Sequence, residues 1–228
     1  MDHQNGLWHK WVWVGLAGLL LGGCGTGAYR QRMEKRMEQL RRGVPGQAEL
    51  SEAVQLPGTP LEIRVPKGFL TALSPQGGSE HPARRTPPFP LPGLLGAWEA
   101  HGEQGGQKMP YYLYLGLVEK SQNPQQLISQ RIHQEWQDAP GDWKDFPDAE
   151  QRGWKRCQVV LADLEWVPLD SNGKELPVQK ATGIMDIFCL QEGQHWILVA
   201  CRVPQSMASQ VRMEDIYRVL LANLKIKS

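Results

Sequence analysis

This sequence has almost no excess of charge: 25 Lys and Arg stand against 24 Asp and Glu, a formal net charge of +1. Such a chain projects no strong field, so nucleic acid is not an expected partner. Of its four cysteines none falls in a CxxC pair, and no HxxxH occurs, so no metal site is expected. GxSxG, HExxH, the P-loop and GxGxxG are all missing. The glycine-rich stretch 102–106 lacks the following helix that a phosphate cradle needs. Asp142, Asp145 and Asp148 lack the ligand rhythm and central glycine of a calcium loop. No cofactor and no catalytic residue is expected, and the chain does not read as an enzyme. A long apolar run is missing too. The longest, residues 11–23, has 13 residues; as a helix it covers about 20 Å against a bilayer core of about 30 Å.

That short run is what the chain does have. Lys10 precedes it, with Asp2 the opposing charge, and Leu21-Gly22-Gly23-Cys24 ends it. A short apolar run is the length of a signal-peptide core. With its small residues and cysteine it resembles the lipobox of bacterial lipoprotein precursors. The resemblance implies that residues 1–23 are a removed signal peptide and that Cys24 is the acylated first residue of the mature chain. It also implies a lipid-anchored place in the cell envelope, with membrane lipid as a partner through Cys24. Gly25, rather than Asp, after the cysteine argues against retention at the inner membrane if the sorting rule of Gram-negative lipoproteins applies. Two other readings of the run are an uncleaved signal anchor with an ordinary thiol at Cys24, and an apolar N-terminal helix of a cytosolic protein.

Behind the cysteine, residues 28–42 have helical spacing. Tyr29, Met33, Met37 and Leu40 share one face, and Arg30, Arg32, Lys35, Arg36, Arg41 and Arg42 stand against Glu34 and Glu38. Gly43 and Pro45 stop the pattern. The segment 24–43 fits a solvated stalk, a helix lying on an anionic membrane surface, or a self-pairing helix. A basic residue near such a surface contributes up to about 1 kcal/mol. Residues 44–60 read as a linker.

Residues 61–228 read as one domain. A strand is predicted over 61–67, then a Pro- and Gly-rich loop over 74–93 whose PPFPLP run is either a plain insertion or an exposed docking segment. Strands are predicted from residue 94 and over 109–119, joined by a turn at 102–108. Asn123 is a helix N-cap with Pro124 at the first helical position. An acidic connection follows at 142–152. Further strands are predicted over 154–165, 181–190 and 195–203, and a final helix over 208–224. Three tryptophans lie in the leader, and the remaining six of the nine are expected to fill the core. Cys157, Cys189 and Cys201 sit in apolar strand-like runs and read as buried free thiols, although one disulfide is open to a chain outside the cytoplasm. In the last hairpin Cys189 is expected opposite Trp196 or Leu198, which sets it out of register with Cys201.

The fold class that follows is α+β: an antiparallel sheet with helices packed on it. The LEIRVPKGF strand, the NPQQL helix start and the HWILVACRVPQS…IYRVLLANLKI ending resemble the PsbP/Mog1-like sandwiches, DcrB-like bacterial lipoproteins among them. No functional residue carries over from that resemblance. The lipobox followed by an Arg-rich helix is also similar to predicted lipoproteins of planctomycete-type bacteria, a likeness that implies no activity. The expected function is a membrane-anchored envelope lipoprotein with a non-catalytic binding or structural domain and an envelope protein as partner. The alternatives are an envelope hydrolase or thiol enzyme using a histidine with a late cysteine, or a carrier of a soluble ligand.

Overall fold

The computed structural model describes residues 50–56, 58–69, 71–73, 89–147, 152–211 and 213–226. The apolar run 11–23, Cys24, the basic residues Arg30, Arg32, Lys35, Arg36, Arg41 and Arg42, and most of the loop 74–93 lie outside the described residues.

Among the described residues ten strands and two α-helices follow in order: β1 (Val54–Gln55), β2 (Leu61–Ile63), β3 (Thr71–Leu73), β4 (Leu94–Gln104), β5 (Gln107–Glu119), α1 (Pro124–Trp136), β6 (Lys144–Phe146), β7 (Trp154–Trp166), β8 (Gln179–Glu192), β9 (His195–Pro204), α2 (Met213–Ala222) and β10 (Lys225–Ile226). A single 3-10 turn, Gln205–Met207, separates β9 from α2. Seven strands make one antiparallel sheet in the order β3-β4-β5-β9-β8-β7-β6, and β1-β2-β10 make a small second sheet. The protein is an α+β sandwich, with one helix on each face of the large sheet.

Alternation along the strands decides what each face carries. Cys157, Ile187, Ala200 and Tyr114 share one face, and α1 covers it. Phe89 stacks edge-on to Tyr114 and tilted against Trp136 of α1, tying that helix to the sheet. Asp186, Phe188, Val199, Cys201 and Leu113 share the other face. There α2 packs, with the Tyr217 ring 4.7 Å from that of Phe188. Ile128 and Ile132 of α1 and Tyr217, Leu220 and Leu221 of α2 are buried.

Local chemistry sets the ends of these elements. Asn123 Oδ1 accepts from the backbone N–H groups of Gln125 and Gln126, and Pro124 fixes the first turn of α1. The β4–β5 hairpin turns on Gly105-Gly106, both at positive φ, which glycine adopts without strain. Arg152 closes the far end of α2 by donating to the carbonyls of Leu221 and Leu224.

Several expectations need correction. The stretch 44–60 is not wholly a linker, because Val54–Gln55 pairs with β2, and Leu50 and Leu56 are buried. The strand expected over 61–67 ends at Ile63. The end of the PPFPLP run is not wholly exposed: Pro90 faces solvent, but Phe89 and Leu91 are buried, and Gly93 lies against β5. The acidic connection contains β6, whose Lys144, Asp145 and Phe146 pair with Arg156, Lys155 and Trp154. The final helix is shorter than expected: residues 208–211 form turns, and α2 covers only Met213–Ala222.

Candidate functional site

The most polar part of the described interior lies where β7 and β8 pass under α2. Asp186 sits mid-strand between Met185 and Ile187 and is almost fully buried. A carboxylate there needs donors on all sides, and it has four. Arg156 Nε and Nη2 donate to Asp186 Oδ1 at 2.8 and 2.7 Å. Gln158 Nε2 donates to the same oxygen at 3.0 Å. Tyr217 Oη donates to Oδ2 at 2.7 Å. The register explains the meeting: Gln158 is directly opposite Asp186, and Arg156 is one residue pair further along the same face.

The guanidinium of Arg156 is held as firmly as the carboxylate. It lies 5.7 Å from the centre of the Tyr217 ring and 5.8 Å from those of Phe146 and Phe188. Its Nη1 reaches Glu214 of α2 at 3.4 Å. Burial opposes the charge on Arg156, but Asp186 and Glu214 outweigh burial and raise its pKa. Burial likewise pushes the Tyr217 hydroxyl well above its usual pKa, so it remains a donor to Asp186.

Two clefts adjoin this cluster, with Arg156 and Gln158 in the walls of both. One, of about 410 Å³, opens between Ile184, Val203, Met213 and Glu214. The other, of about 390 Å³, lies beside Asp142, Lys144 and Phe146. What faces them is an ion pair already matched to its own partners. The arrangement is suited to holding a surface in one shape.

A second charged group lies on the α1 face. Arg202 is buried, with its guanidinium 4.4 Å from the Trp166 ring centre and 5.6 Å from that of Tyr112, and its Nη2 donates to Glu165 O at 3.0 Å. Two strands away, His101 Nε2 lies 3.1 Å from Glu99 Oε1. Tyr114 is fully buried, and its hydroxyl has no hydrogen-bond partner.

The thiols are placed against catalysis. Cys157, Cys189 and Cys201 are free and buried. Burial first, with nearby charge a smaller influence, pushes Cys157 and Cys189 up to about 12 and Cys201 well above its usual value. A thiol so raised is almost wholly protonated near neutrality and is a poor nucleophile. Neither strand histidine is placed beside Cys201. His101 is on β4 and Cys157 on β7, four strand spacings apart, or about 19 Å. His101 and Cys201 lie on opposite faces of the sheet. His195 begins β9 six residues before Cys201, about 20 Å along an extended strand. His101 and His195 therefore do not converge with Cys201, nor His101 with Cys157.

The expected hairpin register is present: Cys189 faces Leu198, and Cys201 faces Asp186. The six tryptophans from Trp98 onward are core residues: Trp98, Trp154 and Trp166 are buried, and Trp136, Trp143 and Trp196 pack against the core. Asp142 lines a cleft, Asp145 pairs with Lys155, and Asp148 lies outside the described residues. Among the described residues no three potential metal ligands come together. The sequence reading missed the Arg156–Asp186–Tyr217 cluster. A signal for it existed: Asp186 in GIMDIFCL and Arg202 in VACRV are lone charges inside otherwise apolar strands, and a buried charge requires a partner.

No protein-family model matches the chain, and no curated protein matches it by sequence. Among solved structures, the chain is similar to the Ran-binding protein Mog1p of Saccharomyces cerevisiae, at 14% identity and a TM-score of 0.44, over 77% of this chain and 94% of that one. It is also similar to the cyanobacterial PsbP (CyanoP) of Synechocystis sp. PCC 6803, at 11% identity and a TM-score of 0.41, over 79% of this chain and 94% of that one. These are likenesses of fold alone, and no residue role passes from either protein to this chain.

Proposed function

We propose that this chain is an envelope lipoprotein, anchored by an acylated Cys24, whose α+β domain binds or braces another envelope component without catalysing a reaction. The observation that carries the reading is the order of residues 11–24: a short apolar run, then Leu21-Gly22-Gly23-Cys24. Acylation at one cysteine fits firm attachment, because each buried methylene contributes about 0.8 kcal/mol and several chains together exceed the marginal hold of one. Six basic residues from Arg30 to Arg42 would then stand next to the lipid, where they favour an anionic surface. The internally matched charges of the Arg156–Asp186 cluster and the buried thiols support a binding or bracing role over the hydrolase or thiol-enzyme alternative. The test is partition between detergent and aqueous phases of the full chain expressed in a bacterial host, wild type beside Cys24→Ala. The proposal expects the wild type in the detergent phase with residues 1–23 removed, and the mutant as an uncleaved precursor. Equal processing of the two proteins, or a wild type in the aqueous phase, would overturn it.

A further inference from the structure

We draw no further inference here: the strongest candidate, the cleft between the start of α2 and the outer strands β7 and β8, belongs to the site already described, and its buried carboxylate and guanidinium are matched to each other so that nothing in the structure shows what covers it.

Discussion

Replacing Asp186 with alanine removes the acceptor on which Arg156, Gln158 and Tyr217 converge. Breaking a buried ion pair by deleting one partner costs about 3–5 kcal/mol, and a buried hydroxyl left without a partner costs about 1–3 kcal/mol. These costs are not independent, and Arg156 has some relief. Its side chain is 23% exposed and Glu214 is 3.4 Å away, so it can turn to water and to that carboxylate. Tyr217 has no such escape, being 1% exposed. Together these place the loss near the lower end, at about 3 kcal/mol. With a urea slope of about 2 kcal/mol/M, the unfolding midpoint falls by about 1.5 M. Equilibrium urea unfolding followed by tryptophan fluorescence reads this directly. A double-mutant cycle with Tyr217→Phe sharpens it. The phenylalanine change alone costs about 2 kcal/mol by losing one charge-assisted hydrogen bond, but costs almost nothing once Asp186 is gone. A midpoint shift below about 0.5 M for Asp186→Ala, or additive costs in the cycle, would refute the view that this cluster pins α2 to the sheet.

Tyr114→Phe has the opposite sign. Its hydroxyl is buried without a partner, so removing it should leave stability unchanged or raise it by about 1 kcal/mol; a comparable loss in the same urea assay would mean that the hydroxyl is bonded. Gly93→Ala should cost about 3 kcal/mol or more. Gly93 has φ +61°, and an added methyl carbon would lie 2.0 Å from Leu117 O; a melting temperature within a degree of wild type would show that the 89–93 segment does not grip β5 as described. Stability should also fall in alkali. The folded thiols of Cys157, Cys189 and Cys201 have raised pKa values, about 12 for the first two. Their stabilisation is full below the unfolded thiol value near 8.5 and is lost as pH rises from there towards the folded values, about 2 kcal/mol per thiol by pH 10. A urea midpoint that is flat from pH 8 to pH 10 would contradict this burial.

The domain's skeleton was legible because its signals are local. Asn123-Pro124 marks a helix start through its own cap, and residues 191–194 narrow the β8–β9 register to Cys189 opposite Trp196 or Leu198, of which the structure has Leu198. What escaped depends on contacts distant in sequence. The β1–β2 and β2–β10 pairings join very short strands whose two or three residues carry no period. The burial of Phe89 is decided by Tyr114 and Trp136, and a Pro-rich run around it reads as exposed until those rings are in place. The shift in β7 between Leu161 and Leu164, at Asp163 with φ +52°, leaves both leucines buried although they are three residues apart. Strict alternation would have sent one of them to the opposite face. The Arg156–Asp186–Tyr217 cluster draws on two strands and a helix. The lone carboxylate in an apolar strand showed that a partner must exist, but only the strand order says which.

The intact mass of the protein purified from bacterial membranes tests the lipid anchor at Cys24 most directly. The account predicts a chain that starts at Cys24 and carries added diacylglyceryl mass on that residue, while Cys24→Ala keeps residues 1–23 and gains none. A wild-type chain that retains residues 1–23 without acyl mass would contradict it, and the apolar run would then be a signal anchor or part of the fold.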